Sequence, residues 1–393
     1  MSTPKNPVAP KSDMPAPGEI TALVKGNNNF ALELWGRAGT GNQAMSPASI
    51  STALAMAWAG AKGTTAEQMK KVLHFEGTND EIVQQWARIA LALQDANRPF
   101  KLRLANRLYG DKHYSFDTIY FTITRKVFDA PLEMVDFQGA AEEQRQKINK
   151  WVAERTEQRI KDLLPPRMID SSTRLVLVNA LYFLADWDHP FEQQATFDQP
   201  FHGVAKQVPT MHASGQYLLA RGEGAALLEL PYKGGSAAMY VLLPDKKDGL
   251  AAIEHKLAPT IKALQLKLAS KQVTLALPKF TIDPSHPLEL SSQLAALGMP
   301  DAFDAAKSDF TGIANPPKPD DRLAISAVLH KAFVKVDEKG TEAAAATAVV
   351  AVAGSAPPPA PREQFIADHP FLFLIVDKST GLILFIGRVV EPS

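Results

Sequence analysis

The sequence contains no cysteine. This absence excludes disulfide bonds, a thiol nucleophile and any metal site built on thiolates. With 393 residues, of which 46% are hydrophobic, the chain is long enough to bury a core without covalent crosslinks. The lack of cysteine therefore excludes several kinds of site but says little about the compartment in which the protein works.

An excess of charge of one sign is also missing. Lys and Arg together number 42, as do Asp and Glu, so the formal net charge is zero. A protein whose main task is to neutralise nucleic-acid phosphates or an anionic membrane surface carries a basic excess. We therefore expect no nucleic acid among the partners, and no polyanionic cofactor, because the sequence has no clustered basic helix.

Long hydrophobic runs are missing as well. A membrane-spanning helix needs about 20 apolar residues, and the nearest stretch, residues 343–356, is shorter and leads into prolines. Residues 1–19 are rich in proline and lack an apolar run, so we expect a disordered tail there rather than a signal peptide or membrane anchor. The remaining residues, 20–393, are expected to form one domain.

The common catalytic motifs are absent too. The sequence has neither Gly-x-Ser-x-Gly nor His-Glu-x-x-His, which are typical of serine hydrolases and zinc proteases. The nine histidines are scattered, and the glycine-rich segment 36–41 lacks dinucleotide-binding spacing. We therefore expect no metal, no cofactor and no enzymatic activity.

Helical patterns come first along the chain. Residues 20–34 have helical spacing, and Ser46 followed by Pro47 is typical of a helix start with the serine as cap. Residues 142–164 form an amphipathic pattern that Pro165 is expected to end.

Strand patterns follow. Apolar runs on both sides of Lys233-Gly234-Gly235 predict a hairpin, and residues 273–282 alternate as a strand does. Residues 371–376 and 382–386 are apolar on both faces, which predicts buried central strands. Helices first and sheets later indicate the α+β class with large antiparallel sheets.

The most unusual feature is a long segment between strands. Residues 338–370 are 33 residues with little helical or strand periodicity, and a loop of that length in a compact domain is typically functional or disordered. The segment begins Glu338-Lys339-Gly340-Thr341 and continues through alanines and valines to a proline run. Taken alone, it is equally compatible with a flexible linker or an alanine-rich helix.

Several short motifs accompany this segment: Ser46-Pro47-Ala48-Ser49-Ile50, Asn179-Ala180-Leu181-Tyr182-Phe183, Leu277-Pro278-Lys279-Phe280, His330-Lys331-Ala332, His369-Pro370-Phe371 and Leu384-Phe385-Ile386-Gly387-Arg388. Their order and spacing, together with the loop, resemble the serpin family of serine protease inhibitors. The resemblance covers about residues 29–392.

The resemblance implies a single serpin domain with three β-sheets (A, B and C), eight or nine helices and an exposed reactive-centre loop at about residues 338–361. It implies a partner, a serine protease, that cleaves the loop and is held as a covalent acyl-enzyme while the loop inserts into sheet A. We expect a monomer that is able to form loop-sheet polymers. We also expect a prokaryotic source and an extracellular or periplasmic protein, with a cytoplasmic location left open.

The hinge of the loop carries the inhibitory interpretation. By resemblance it consists of Gly340, Thr341, Glu342, Ala343, Ala344, Ala345 and Ala346. Insertion as a buried strand requires compact, uncharged side chains without proline on the inward face, and alternation directs Thr341 inward and Glu342 outward. The alternative within the family is a non-inhibitory member, a binding or chaperone-like protein whose loop is cut without trapping the protease.

The position of the reactive bond follows from the family's usual spacing. Counting from Gly340 gives Gly354–Ser355, and a slide of one residue gives Ala353–Gly354. Val350 and Val352 are further candidates for the residue before the cut. No basic residue lies near either bond, so the small aliphatic residues predict an elastase-like or subtilisin-like target rather than a trypsin-like one.

Two supporting clusters are also implied by the resemblance. A polar shutter where sheet A opens comprises Ser46, Ser49, Asn179 and His330, and a breach where the loop first enters comprises Trp187, Lys279 and Glu338. Met45 stands where the family has an asparagine, so we expect a reduced shutter network. The simpler alternatives are a satisfied core histidine and a solvated ion pair.

Overall fold

The computed structural model describes residues 15–315, 322–341 and 362–392. Within these ranges there are nine α-helices: α1 (Pro17–Trp35), α2 (Pro47–Ala59), α3 (Gly63–Val72), α4 (Asn79–Leu93), α5 (Thr118–Lys126), α6 (Phe137–Arg155), α7 (Leu250–Glu254), α8 (Leu257–Gln265) and α9 (Ser291–Leu297). Helix α1 begins three residues before the boundary that we placed at residue 20.

The same ranges contain eighteen strands: β1 (Gln43–Met45), β2 (Lys101–Asp111), β3 (Ser115–Phe116), β4 (Glu133–Val135), β5 (Leu175–Asp186), β6 (Thr196–Gln199), β7 (Val208–Gly222), β8 (Ala225–Pro231), β9 (Ala237–Pro244), β10 (Ala269–Pro278), β11 (Phe280–Ile282), β12 (Leu288–Glu289), β13 (Ala314–Asn315), β14 (Ala327–Val336), β15 (Gly340–Thr341), β16 (Glu363–Ile366), β17 (Phe371–Asp377) and β18 (Leu382–Val389). They form hydrogen-bonded sheets of nine, seven and two strands. The predicted α+β class with three sheets is confirmed.

The chain divides into two compact units. The first unit comprises the described residues of 1–37, 45–182 and 284–333, and the second comprises those of 38–44, 183–283 and 334–393.

The first unit holds the predicted helix start and the first parts of two long strands. The Ser46 hydroxyl caps α2 by accepting the Ser49 N–H, as the sequence indicated, and every residue of α2 except Ala59 is buried. Strand β14 runs parallel to β5, with His330 opposite Asn179. This pairing positions the polar cluster described below.

The second unit holds the nine-stranded sheet, whose order is β1-β18-β17-β9-β8-β7-β10-β16, with β6 paired to β7. Strands β17 and β18 lie inside this sheet and every one of their residues is buried, as predicted from their apolar faces. The predicted hairpin is formed by β8 and β9. Its turn uses Gly234 and Gly235, both with positive φ (79° and 66°).

The second unit also holds the ends of β5 and β14. Strand β15 lies between them, with Gly340 opposite Asp186, and Thr341 opposite Ala185 on one side and Val336 on the other. Strand β11 pairs with the other edge of β14, with Phe280 opposite Val336. The two residues of β15 are therefore flanked by a strand on each side.

The helix predicted for residues 142–164 is placed differently. Helix α6 begins at Phe137 and ends at Arg155. Glu157 and Gln158 have φ values of 51° and 62°, a left-handed backbone that a right-handed helix cannot contain. The prediction failed because the apolar spacing continues beyond the point where the backbone reverses.

The strand predicted for residues 273–282 is in fact two strands. Strand β10 pairs with β7, whereas β11 pairs with β14, so the chain changes sheets at Lys279. The Lys279 N–H donates to Pro209 O (2.8 Å), which extends the β10–β7 register by one residue before the chain crosses to β14. Alternation of polar and apolar residues runs through the break and therefore did not predict it.

Candidate functional site

A buried polar cluster in the first unit joins α2, β2, β5 and β14. The Ser46 N–H donates to His330 Nε2 (3.0 Å), and His330 Nδ1 contacts the amide oxygen of Asn179. The Asn179 amide group donates to Ser49 Oγ (2.6 Å) and to Asn106 Oδ1 (2.6 Å). The structure thus brings together the four residues predicted for the shutter and adds a fifth.

His330 uses both ring nitrogens as a neutral imidazole. Because Nε2 accepts the Ser46 N–H, the ring proton lies on Nδ1 and is donated to Asn179. The side chain is completely buried, and this burial lowers the pKa of His330 from 6.5 to about 3. The histidine is therefore uncharged at neutral pH.

Separation of β5 from β14 would break this cluster at one point. His330 and Asn179 face each other across the two strands, within a parallel ladder that runs from Ala327 opposite Val176 to Phe333 opposite Tyr182. A strand inserted here would replace the ladder bonds but would part His330 from Asn179. The cluster therefore links the two strands through this one side-chain contact.

Asn106 belongs to this cluster but was not predicted. It lies on β2, and its Oδ1 accepts from both Ser49 Oγ (3.1 Å) and Asn179. Asn106 thus contributes a second amide to the cluster, beside that of Asn179. Asparagine is depleted in strands. Its presence inside the strand-forming sequence of β2 is the one feature that could have identified Asn106 as a candidate.

Lys279 and Glu338 form an ion pair in the second unit. Lys279 Nζ lies 2.9 Å from one carboxylate oxygen of Glu338 and 3.1 Å from the other. The Glu338 side chain is only 9% exposed, against 35% for Lys279. Burial opposes ionisation of Glu338, but hydrogen bonds from Lys279 and the backbone outweigh it and hold the pKa of the carboxyl below its usual range.

Trp187, the third residue predicted for the breach, contacts the chain that leads into the hinge. Its indole N–H donates to Asp337 O (3.0 Å), and its backbone N–H donates to Lys339 O (2.7 Å). The ring stacks on Tyr232 with centroids 4.6 Å apart and planes 6° apart. Trp187 therefore binds residues 337–339 through its backbone N–H and its indole N–H, while its ring packs on Tyr232.

Gly340 occupies a position with no room for a side chain. A Cβ atom at this residue would lie 2.0 Å from Ala185 O and 2.7 Å from Asp186 Cα. Both neighbouring atoms belong to the backbone of β5 and cannot move aside without disturbing that strand. A glycine is therefore required here on steric grounds.

Thr341 is fully buried between the ends of β5 and β14. Its Oγ1 lies 2.6 Å from the Tyr232 hydroxyl oxygen, and this hydroxyl pair is buried. Tyr232 was not predicted, because it contacts a residue 109 positions away and no local pattern links the two.

The other hinge residues and the reactive bond lie outside the described residues: Glu342, Ala343, Ala344, Ala345, Ala346, Ala353, Gly354 and Ser355. The structure describes both ends of this segment. On one side Thr341 ends β15, and on the other β16 runs parallel to β10, with Glu363 opposite Val273. The assignments of the hinge and of the bond therefore stay predictions.

Three side chains among the described residues lie close enough together to hold a metal ion. The ligand atoms of Asp111, His113 and Asp136 lie within 4.8 Å of one another. However, Asp111 accepts the backbone N–H groups of Phe137 (3.1 Å) and Gln138 (3.2 Å), and Asp136 is the N-cap of α6. We interpret the group as the cap of this helix. None of the helices in the described part of the chain combines the length and the apolar character that crossing a membrane requires.

Comparison with known proteins identifies the family. The family model for serpins, serine protease inhibitors, matches residues 25–392. Leukocyte elastase inhibitor A of Rattus norvegicus is 40% identical over 388 residues, covering 94% of this chain and 99% of its own. The leukocyte elastase inhibitor of Homo sapiens is 39% identical over the same length, with the same coverage.

Among solved structures, Serpin48, a highly specific serpin of the insect Tenebrio molitor, superposes with a TM-score of 0.84 at 33% identity, covering 95% of this chain and 99% of its own. These three relatives are animal proteins and give no support to the prokaryotic source that we expected. Their names carry no statement about location, so an extracellular or periplasmic protein gains no support either. The family match over residues 25–392 and the identity of 40% with a curated member establish that this chain belongs to the serpin family of serine protease inhibitors.

Proposed function

We propose that the protein inhibits serine endopeptidases irreversibly, as a suicide substrate whose cleaved loop inserts between β5 and β14. The observation that carries this proposal is β15. Thr341 already pairs with both β5 and β14, and Gly340 pairs with β5, at the point from which an inserted loop would continue between the two strands. Addition of a strand to a sheet gains main-chain hydrogen bonds along its whole length.

The proposed chemistry uses the protease's own catalytic residues. Its serine oxygen attacks the carbonyl carbon of the reactive bond, the peptide C–N bond breaks, and the new amino terminus leaves with the proton that the protease histidine returns. The remaining ester joins the protease to the residue before the cut, which we propose to be Gly354, or Ala353 after a slide of one residue. Insertion that is faster than hydrolysis of this ester leaves the protease trapped.

The two clusters have distinct roles in this proposal. The shutter residues Ser46, Ser49, Asn179 and His330 hold β5 against β14 and resist insertion until cleavage releases the loop. The breach residues Trp187, Lys279 and Glu338 fix the chain just before Gly340, so that the hinge turns into the sheet at a defined place.

The target class that we propose is an elastase-like or subtilisin-like protease. Small aliphatic residues surround both candidate bonds, and they suit the small specificity pockets of such enzymes. The two curated relatives carry the name leukocyte elastase inhibitor, which supports the same class.

The decisive experiment is a denaturing gel of the 42.7 kDa chain mixed with pancreatic elastase, neutrophil elastase or subtilisin. Trapping produces a band at the summed mass of the chain and the protease that survives boiling. Mass spectrometry of the released C-terminal peptide then identifies the cleaved bond. Cleavage without such a band for all three proteases would reject the proposed target class and favour the non-inhibitory alternative, a binding or chaperone-like protein.

We also propose that residues 20–393 act as one domain behind a tail at 1–19, and that the active form is a monomer. A gap that accepts the protein's own loop also accepts the loop of a second copy, which accounts for loop-sheet polymers. Size-exclusion chromatography before and after mild heating tests the oligomeric state, since heating is expected to convert monomer into polymers.

A further inference from the structure

The hydroxyl contact between Tyr232 and Thr341 sits where the hinge meets the sheet. The two oxygens are 2.6 Å apart, and the residues are 1% and 0% exposed, respectively. Neither hydroxyl has access to water as a substitute partner. Loss of one hydroxyl therefore leaves the other buried without its bond, which is the costly situation for a polar group.

Tyr232 is held rigidly before any loop insertion takes place. Its ring stacks on Trp187, its N–H donates to Ala237 O (3.0 Å), and the next residue, Lys233, donates its N–H to Asp186 O (2.8 Å). Burial raises the pKa of the Tyr232 hydroxyl far above neutrality, so this group keeps its proton under working conditions. The tyrosine thus presents a fixed, protonated hydroxyl to position 341.

Thr341 meets this hydroxyl only when it lies in the sheet. The backbone of Thr341 pairs with Ala185 and Val336, and this pairing directs its side chain towards Tyr232. The side chain could not keep this contact if β15 left the gap. The hydroxyl contact therefore favours the docked position of the hinge over any undocked one.

We propose that Tyr232 is a positioning residue that selects a hydroxyl at position 341 and keeps the first hinge residues docked before cleavage. Insertion then extends a strand that has already started. This inference rests on the proposed inhibitory function, in which insertion competes with hydrolysis of the ester. An undocked hinge enters later, more ester is hydrolysed, and more inhibitor is consumed for each protease molecule trapped.

Three variants test the contact. Tyr232→Phe and Thr341→Val each remove one hydroxyl with little change of shape, whereas Thr341→Ser keeps the hydroxyl. Tyr120→Phe is the matched control, because Tyr120 is buried in the first unit and donates to Met56 O (2.9 Å). Hydrogen exchange of the Gly340 and Thr341 amides measures docking, and titration of the protease gives the inhibitor consumed per trapped molecule.

Both hydroxyl deletions should accelerate exchange at the hinge about fivefold, the change that corresponds to about 1 kcal/mol for one hydrogen bond. Both should raise the inhibitor consumed per trapped protease. The double variant should be no worse than either single one, since both remove the same bond. Thr341→Ser and Tyr120→Phe should match the parent protein in both measurements, even where Tyr120→Phe lowers overall stability.

The inference is wrong if both hydroxyl deletions leave hydrogen exchange at the hinge and the inhibitor consumed per trapped protease at the parent values. Additive effects in the double variant would also overturn it, because they would assign the changes to general damage. If the parent protein itself traps none of the proteases, the proposed function fails. The exchange measurements still decide whether Tyr232 docks the hinge in that case.

Discussion

At the scale of single residues, the site depends on buried polar groups whose partners lie far apart in the chain. His330 is satisfied only as a neutral ring between Ser46 and Asn179, and Glu338 only as an ion paired with Lys279. Each group has one protonation state that fits its surroundings. Acid therefore acts on the two groups in different pH ranges.

Protonation of His330 is expected to make stability depend on pH below neutrality. The folded protein holds the neutral ring with a pKa of about 3, whereas the unfolded chain binds a proton near 6.5. The contribution of the neutral ring to the free energy of unfolding is therefore present above pH 6.5. The free energy of unfolding should fall by about 2 kcal/mol between pH 6.5 and pH 5. Denaturant midpoints across this range measure the slope.

The variant His330→Gln should show a flatter slope than the parent over the same range. His189→Gln is the control, because the His189 side chain is 72% exposed and should leave the slope unchanged. An unchanged slope in His330→Gln would contradict the buried neutral ring.

Removal of the cation at Lys279 should destabilise the protein more than removal of a neighbouring surface cation. Lys279→Met leaves the Glu338 carboxylate buried without its partner, at a cost of about 1–3 kcal/mol. Lys335→Met is the matched control, because the Lys335 side chain is 46% exposed and lies 3.8 Å from Asp337, a pair worth about 0–1 kcal/mol. Denaturant midpoints at pH 7 compare the two variants.

The loss of stability caused by Lys279→Met should be smaller at acidic pH. The lowered pKa of Glu338 contributes stability above its ordinary value of 4.5 and loses it as the pH falls through the lower folded value. A deficit that persists after Glu338 is protonated would assign the effect to lost packing of the lysine stem instead.

Sequence motifs identified several residues of the two clusters, but not all of the residues to which these are hydrogen-bonded. Ser46, Asn179 and His330 were identified by family resemblance, and the structure joins them directly. Asn106 and Tyr232 were missed because strand pairing and a hairpin bring them to the site, and neither lies in a recognised motif. Local patterns carry no information about which distant hydroxyl or amide completes a buried network.

At the scale of elements, one of the shortest strands described here is among the most consequential. Strand β15 has two residues, yet it pairs on both sides. Resemblance to the serpin family predicted a hinge here, but it did not predict that residues 340–341 start as a strand. That outcome depends on the space between β5 and β14, which only the folded sheet defines.

The substitution Gly340→Ala should expel β15 from its position. The added Cβ would lie 2.0 Å from the backbone oxygen of Ala185, so the hinge moves out rather than the sheet giving way. We expect faster hydrogen exchange at Thr341 and more inhibitor consumed per trapped protease.

Gly18→Ala is the control for this substitution, since a Cβ at Gly18 meets nothing within 4 Å in α1. It should be neutral or slightly stabilising, because alanine favours helix. Parent-like exchange and trapping in Gly340→Ala would show that the position tolerates a side chain and that docking is not steric.

At the scale of the whole molecule, folding is expected to stop short of the most stable arrangement. The pairing of β14 with β5 occupies the place that a full inserted strand would take. An intact loop is tethered at Thr341 and at β16, whereas a cut loop is free to enter. The gain in stability should therefore come only after cleavage.

A single cut within residues 342–361 should raise the midpoint of thermal unfolding sharply. The physical reason is the new set of main-chain hydrogen bonds on both sides of the inserted strand. Limited digestion with a protease that is not trapped, followed by calorimetry, measures the shift.

Thr341→Arg provides the comparison for this measurement. A charged side chain at this buried position opposes insertion, so the variant should be cut at the same place without gaining stability and without trapping elastase. A cut parent protein that melts at its original temperature would exclude insertion.

Strands β17 and β18 lie on the C-terminal side of every bond in that loop, in the interior of the nine-stranded sheet. A nicked molecule is therefore a two-chain assembly whose smaller chain supplies part of the core. It should migrate as one particle on a native gel and separate only when denatured. The same dependence makes the protein a candidate for fragment complementation, in which a larger piece that ends in the loop folds only when a peptide carrying β16 to β18 is added.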